Sequence, residues 1–457
     1  MSKKPNLVFV VPDEFRPYSM GFLGKENVIT PAIDTFAKEA TTFTRCASNF
    51  PVCSPYRAIL FSGKYPHNNG VMGNCNSTIP QNHLRDDITC LTDILNQNDY
   101  SQGYIGKLHL HTPKPGDEVY GEGKRGNGVV WDAYTPPGKA RHGIDYWHSY
   151  GCCDNHNDPH YWIKDAPVDQ PYKPKKWSAH HETEVAVDYI KNTEGQRDKE
   201  KPFALFVAYN PPHMPFNQVP EKYRELYADK SVEELLNWEN LEGEGKKIAE
   251  KEIHNYYAMI SGIDECFGKI NQTLKEEGLE EDTIVIFTSD HGELMGSHGK
   301  LRKNEWENES FLVPFLLKYP RKIQTNQQDD VVFSTIDLAP SILGLMDLEA
   351  SIPNDYQGED ISKRWQDKNV KTSQNALYLF NNQKNSLYGR RGIMTDRYTY
   401  VIEWDENGTT TQINDNIVNP HQFKDVEVKD PRVKKQLNQL LKDKLNGVND
   451  PFSAALN

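Results

Sequence analysis

The chain has 457 residues, 37% of them hydrophobic and 26% charged, with a formal net charge of −13. That length supports a sizeable core, either as two or three ordinary domains or as one large α/β domain with an appendage. The acidic balance argues against a general nucleic-acid or membrane-surface binder, and it confines any anion site to a local basic pocket.

The N-terminus, MSKKPNLVFVVPDEF, carries two lysines and then a short apolar run. That run lacks a small-residue cleavage site and is followed at once by acids, so residues 6–11 read as a strand and not as a signal peptide. No stretch of about 18 apolar residues exists, so no membrane span is expected. The expected location is periplasmic or secreted if a signal peptide was trimmed, and cytoplasmic otherwise. ITPAIDTFAKEA (29–40) reads as a helix, with Thr30 at its N-cap and Pro31 at its first position. Pro55 suits the first turn of another helix, which AILFSG carries to Gly63. Residues 111–180 are rich in Gly, Pro, His, Tyr and Trp with little periodicity, the character of functional loops.

PFALFVAYN (202–210) and TIVIFTS (283–289) read as buried strands, and residues 218–252 as a charged helical stretch. Ile253, Tyr256, Ile260, Ile263, Phe267, Ile270 and Leu274 step by threes and fours, the stripe of a core-facing helix. Buried strands alternating with helices predict an α/β fold with a large, mostly parallel central sheet sandwiched by helices. After about residue 365 the character changes: two or more strands with a turn at Asp405–Gly408, then a closing helix over 433–445. The expected division is a catalytic domain over 1–365 and an α+β subdomain over 366–457 that completes the substrate pocket.

Seven cysteines, Cys46, Cys53, Cys75, Cys90, Cys152, Cys153 and Cys266, make an odd number, not a disulfide framework. No CxxC pair occurs, which argues against structural zinc. The vicinal pair Cys152–Cys153 reads as structural.

Two strands end alike, in Pro12-Asp13-Glu14 and in Asp290-His291-Gly292-Glu293. Ligands bind beyond the carboxyl ends of parallel strands, so these turns could meet at one edge. Asp13, Glu14 and Asp290 offer hard oxygens that suit Ca²⁺ or Mg²⁺, with His291 a softer fourth ligand. Each acid alone could equally cap a helix. Cys53 falls at a helix N-terminus, where backbone N–H groups favour an anion, and Arg57 adds a cation one turn on. A bare thiolate nucleophile is conceivable there. The protein-tyrosine-phosphatase spacing, however, puts five residues between Cys and Arg, and this chain has three.

CSPYRAILFSGKYPH resembles the signature of the type I sulfatases, of the alkaline phosphatase-like superfamily: Cys-x-Pro-x-Arg, then Gly and Tyr-Pro-His. Further family positions occur in order. GYIGKLHL gives Lys107 and His109, RHGIDYW matches Gly-Phe-Asp-Tyr-Trp, and YNPPHMPF gives His213. TSDHGELMGSHG matches the Ser-Asp-His-Gly-Glu stretch, LRKNEWENESFLVPF gives Lys303, and STIDLAPSIL also fits. Departures are Glu14 where members commonly carry Asp or Gln, His291 where many carry Asn, and Trp306 and Asn308 in the Lys303 segment.

The resemblance implies a hydrolase, a sulfatase whose Cys53 is converted to formylglycine by a formylglycine-generating enzyme. It implies catalytic Cys53, Arg57, Lys107, His109, His213 and Lys303. It also implies a metal, Ca²⁺ or Mg²⁺, held by Asp13, Glu14, Asp290, His291 and position 53. Arg57, Lys107 and Lys303 would stabilise the sulfuryl oxygens, and Asp13 or Asp290 would take the nucleophile's proton. His213 would protonate the leaving alcohol, and His109 would take a proton from the second hydroxyl to expel sulfate. His142, His148, His156, His160, Trp147 and Trp162 suit a sugar ring, which favours a sulfated carbohydrate, a polysaccharide or its oligosaccharides. The rivals are a phosphonate monoester or phosphodiester hydrolase of the same superfamily, and a non-catalytic protein that binds sulfated glycans.

Overall fold

The computed structural model describes residues 4–114, 117, 128–382, 385–423 and 428–456, the side chains of 385–387 excepted. Of the expected 111–180 loops, residues 115, 116 and 118–127 therefore lie outside the described residues.

Ten strands form the large sheet: β1 Asn6–Val10, β2 Thr41–Ala47, β3 Ser101–Lys107, β4 Tyr146–Tyr150, β5 Trp162–Ile163, β6 Phe203–Ala208, β7 Thr283–Thr288, β8 Leu312–Lys318, β9 Gln327–Asp329 and β10 Phe333–Ser334. Their order is β10-β2-β8-β7-β1-β6-β3-β4-β5, with β9 paired to β2. β1 lies between β6 and β7, parallel to both, and β3 lies parallel to β6 and β4. β8 runs antiparallel to β7 and β2. Successive residues of β1 serve opposite faces. Leu7 and Phe9 pack with Phe206, Ile284 and Phe315, while Val8 and Val10 pack with Val207, Phe287 and the helix Gly243–Glu276. Each such side chain removed from water contributes about 1.5–3 kcal/mol, and a strand covered on both faces reads as one apolar run.

The predicted stripe from Ile253 to Leu274 is buried along that helix. Residues 218–252 differ from expectation. They form short turns at Glu221–Arg224, Glu225–Tyr227 and Val232–Leu235 before the long helix begins. The helix Pro31–Glu39 starts where predicted, but the Thr30 hydroxyl does not cap it. It accepts the Gly21 N–H and donates to Asp34.

β11 Asn375–Asn382, β12 Asn385–Thr395, β13 Tyr398–Asp405 and β14 Gly408–Asp415 form a second, antiparallel sheet. The helix Pro431–Gly447 packs Leu437, Leu441 and Leu445 against Leu377, Leu379 and Ile393 of that sheet. The sheet is latched to the segment around Lys303. Tyr378 Oη donates to the Asn304 carbonyl at 2.6 Å, and Arg390 pairs with Glu305 at 2.6 Å. No helix among the described residues is long and apolar enough to cross a membrane.

Candidate functional site

β1 and β7 pair with Val10 opposite Phe287, so the turns that follow them leave the sheet side by side. Ser289 ties the turns together: its hydroxyl oxygen lies 2.8 Å from the carbonyl oxygens of Pro12 and His291 and accepts the Phe15 N–H at 3.0 Å. The Glu14 N–H donates to Asp290 Oδ1 at 3.1 Å, with Glu14 at φ 65°, a conformation uncommon outside glycine. A Cβ on Gly292 would sit 1.9 Å from the Glu309 carbonyl oxygen, so glycine must follow Asp290-His291.

Cys53 is the first residue of the helix Cys53–Ser62, whose ten residues are all buried. The free N–H groups of such a terminus and its dipole favour negative charge. Cys53 Sγ lies 3.1 Å from Lys303 Nζ, 3.4 Å from His291 Nε2, 3.5 Å from Asp13 Oδ1 and 3.9 Å from Lys107 Nζ. Burial and Asp13 push the thiol up, but Lys107, Lys303 and His291 outweigh them and hold it well below the usual thiol range. Lys107 ends β3, where Gly106 has φ 100° and a Cβ would meet the Ala208 carbonyl oxygen at 2.2 Å. Glycine there lets β3 lie close to β6 and brings Lys107 Nζ within 2.7 Å of Asp13 Oδ2 and 3.0 Å of Asn210 Oδ1.

Arg57 is placed differently from the expectation that it faces the sulfuryl oxygens. Nε and one terminal nitrogen approach Asp290 Oδ2 at 3.3 and 3.0 Å, and that nitrogen also lies 3.2 Å from Asp13 Oδ2. The other terminal nitrogen donates to the Lys107 carbonyl at 2.6 Å. The guanidinium thus holds the two carboxylates and the end of β3 together.

Asp13, Cys53, Asp290 and His291 each offer a ligand atom within 4.8 Å of the others, and Asp13, Glu14 and His213 form a second group by the same measure. His291 Nδ1 faces the Gly292 carbonyl oxygen at 3.0 Å. A carbonyl only accepts, so Nδ1 carries a proton and Nε2 is the nitrogen that faces the group; burial opposes its charge, but Asp290 and Cys53 raise the imidazole above its ordinary value. Both Glu14 carboxylate oxygens are buried without a hydrogen-bond partner among the described residues. Burial, with Glu293 and Asp13 adding to it and Lys303 opposing, pushes the Glu14 carboxyl well up. Burial and Asp13 push Asp290 up to about 6. Burial also opposes ionisation of Asp13, but Lys107 and Lys303 hold it well below the usual carboxylate range. Crowded carboxylates, with both Glu14 oxygens unpartnered by a hydrogen bond among the described residues, beside an imidazole nitrogen fit a divalent cation.

His109 Nε2 lies 3.0 Å from the Cys75 carbonyl oxygen, so Nε2 holds the proton. Its Nδ1 is buried without a partner among the described residues and is left as an acceptor. His213 Nε2 lies 3.2 Å from Glu14 Oε2, and its Nδ1 lies 2.8 Å from the Met214 carbonyl oxygen and 3.4 Å from Asp154 Oδ1. Burial, helped by Lys303, holds the His213 imidazole down at about 3. Lys303 Nζ lies 3.5 Å from Glu14 Oε2 and 3.2 Å from His291 Nε2.

Asn210, Asp154 and Glu293 were not singled out from the sequence. Asn210 stands three residues before His213 in YNPPHMPF, and Glu293 closes the Asp-His-Gly-Glu run, so both signals were in hand. The expected sugar platform is a correction. His142, His148, His156, His160, Trp147 and Trp162 are all buried, at 1–7% exposure. They pack on each other and on neighbours, as where Trp162 meets Tyr134 and His160, so their faces are spent inside the protein.

A family model described as Sulfatase matches residues 5–348, and one described as N-sulphoglucosamine sulphohydrolase, C-terminal, matches residues 296–450. A protein of Bacteroides thetaiotaomicron named Endo-4-O-sulfatase is 37% identical over 99% of this chain and 94% of its own. One from Formosa agariphila named Ulvan-active sulfatase is 31% identical over 99% of this chain and 83% of its own. The crystal structure of a Bacteroides fragilis protein titled as a yidJ sulfatase superposes with a TM-score of 0.94 at 35% identity, covering 99% of this chain and 98% of that one.

Proposed function

The chain belongs to the sulfatase family and is a sulfuric ester hydrolase. On that premise we propose that it hydrolyses sulfate esters of a carbohydrate, with position 53 in its formylglycine form and a divalent metal ion at Asp13, Glu14, Asp290 and His291. The observation that carries the reading is the surroundings of Cys53: two lysines at 3.1 and 3.9 Å, an imidazole nitrogen at 3.4 Å and a carboxylate at 3.5 Å, at the head of a buried helix. In an acidic protein this local charge is what an anionic ester requires. The sugar is inferred from the relatives named for endo-4-O and ulvan-active sulfatase activity, not from the buried aromatic loops.

A divalent ion there would polarise the sulfuryl oxygens and acidify the nucleophile's hydroxyl. A hydrated aldehyde at position 53 would supply an oxygen nucleophile and a second hydroxyl through which sulfate leaves by elimination. Lys107 and Lys303 bind the sulfuryl oxygens, and Arg57 fixes Asp13 and Asp290. His213 gives a proton to the leaving alcohol. Burial and Lys303 depress its pKa, and a bound sulfate monoanion offsets the lysine charge and favours the imidazolium. His109 Nδ1, the nitrogen without a hydrogen-bond partner among the described residues, takes the proton of the second hydroxyl.

The test is mass spectrometry of the peptide containing position 53, paired with sulfate release from sulfated oligosaccharides, those sulfated at O4 first. The expected result is a peptide lighter by the change from CH₂–SH to aldehyde, with turnover of at least one sugar. Aldehyde with no release from any sugar, but cleavage of a phosphonate monoester or phosphodiester, moves the activity to that class. Full activity from unmodified cysteine rejects the formylglycine mechanism.

A further inference from the structure

On the reading that Lys107 binds the sulfuryl oxygens, we propose that Asn210 is its positioning residue: the side-chain amide directs the Lys107 ammonium toward position 53 without cancelling its charge. Asn210 lies two residues beyond β6 and is fully buried. β6 lies between β1 and β3 in the sheet. The Asp13 N–H donates to the Tyr209 carbonyl at 3.0 Å, and Gly106 pairs with Ala208. Asn210 therefore follows a strand that has Asp13, beyond β1, on one side and Lys107, the last residue of β3, on the other. The chemistry of its neighbours fixes the amide. An ammonium only donates, so the atom 3.0 Å from Lys107 Nζ is the amide oxygen. A carbonyl only accepts, so Nδ2 faces the Cys153 carbonyl, at 2.8 Å, and it also lies 3.4 Å from Asp154 Oδ1. Turned over, the amide would set N–H against ammonium and oxygen against oxygen.

Anchoring the segment that carries Cys153 needs only the N–H side of this amide. The oxygen is spent on a lysine whose side chain is fully buried. Lys107 carries three N–H groups on a flexible four-carbon stem. Asp13 Oδ2 takes one at 2.7 Å and Asn210 Oδ1 a second at 3.0 Å, which leaves the third for a group held at position 53, where Cys53 Sγ lies 3.9 Å away. Two fixed acceptors define the direction of that third N–H, and one would leave it free to turn. The choice of an amide matters too. Asp13 already sets one negative charge against Lys107, and a second carboxylate would repel an anionic ester. A neutral amide holds the ammonium and leaves its charge to the sulfuryl oxygens.

The test is a double-mutant cycle on the mature enzyme: parent, Asn210→Ala, Lys107→Ala and the double variant, each assayed for kcat/KM on a sugar sulfate and on a nitrophenyl sulfate. The backbone carbonyl of residue 210, which accepts the His213 N–H at 3.0 Å, remains in every variant, so the cycle reads the side chain alone. The expected result is a loss of about 10–100-fold in Asn210→Ala, equal on the two substrates because the sulfuryl oxygens are common to both. Added to Lys107→Ala, the same change should cost no more than about twofold. A merely structural Asn210 would multiply its loss onto that of Lys107→Ala, and this overturns the proposal while the reading of Lys107 stands. So does a loss confined to the sugar sulfate, because the side chain then acts through Asp154 on His213, and so does no loss in Asn210→Ala. Full activity in Lys107→Ala overturns that reading and the proposal with it. Should a variant fail to fold, the crystal structure of the parent with inorganic sulfate decides. Lys107 Nζ is expected to contact Asp13, Asn210 Oδ1 and a sulfate oxygen together, and an ammonium that reaches sulfate only by leaving Asn210 overturns the proposal.

Discussion

Arg57→Ala separates two uses of a buried cation: reading the substrate, or holding carboxylates together without it. The guanidinium is 1% exposed, and Asp13 and Asp290 are fully buried at 3.2 and 3.0 Å from it. Removing one partner of a buried pair costs about 3–5 kcal/mol, because the remaining charge keeps its desolvation penalty. Asp13 retains Lys107 at 2.7 Å, so most of the loss falls on Asp290. That carboxyl already titrates at about 6, raised by burial and Asp13, and it would rise further without Arg57. The penalty should therefore be larger at pH 7, where Asp290 is forced to ionise, than at pH 5, where it takes a proton. Urea unfolding in EDTA without substrate measures this directly. We expect a loss of about 3–5 kcal/mol at pH 7, a smaller loss at pH 5, and partial recovery in Arg57→Lys. An Arg57→Ala protein within about 1 kcal/mol of the parent, yet with reduced kcat/KM, would refute the reasoning and return Arg57 to the substrate.

His213→Ala should slow hydrolysis of sugar sulfates by about 10²–10⁴-fold and a nitrophenyl sulfate far less, since only the alcohol needs protonation; equal losses on both substrates would reject the general-acid role. Calcium binding should weaken at least about tenfold per pH unit below about 6, because an ion must displace the Asp290 proton and any proton held by Glu14; titration calorimetry in two buffers checks this, and affinity unchanged from pH 7 to 5 removes Asp290 from the ligands. The same raised carboxyl stabilises the metal-free fold fully below its unfolded value near 4, and this is lost as pH rises through about 6, so calcium should raise Tm more at pH 7 than at pH 5. Gly106→Ala should cost at least about 2 kcal/mol, because its Cβ would lie 2.2 Å from a carbonyl oxygen at φ 100°; a shift under about 0.5 kcal/mol in urea unfolding would mean that β3 and β6 can part without consequence.

The meeting of Asp13 with Asp290 was legible because both follow apolar runs, and parallel strands export their ligands at one edge. The strands β2, β3, β4 and β8 were not. TTFTRCA carries polar residues on a buried strand, SQGYIGK has two glycines, and LVPFLLK contains a proline, each of which lowers strand propensity that the sheet then overrides. The motif placed Arg57 near the site but not its direction, which is decided by carboxylates more than 230 residues away in sequence for Asp290 and 44 for Asp13. The aromatic loops misled for a related reason. Composition shows which faces exist, and only packing decides whether they meet a ligand or each other.

Charge balance ties the metal to the substrate. Arg57, Lys107 and Lys303 bring three cations to Asp13, Glu14 and Asp290. Burial, with Glu293 adding at Glu14 and Asp13 at Asp290, raises the pKa of both Glu14 and Asp290. Near pH 6 Asp290 is partly protonated, and the centre is then positive before any ion arrives. It draws in an anion although the protein as a whole carries −13. A divalent ion that displaced fewer than two protons would leave the centre more positive still. Each ligand therefore favours the other, and by linkage the coupling is the same in both directions. The long buried lysines, which would otherwise destabilise the fold, are held by carboxylates that a divalent ion would also engage. The site's stability and its affinity for a sulfate ester thus rest on one set of contacts.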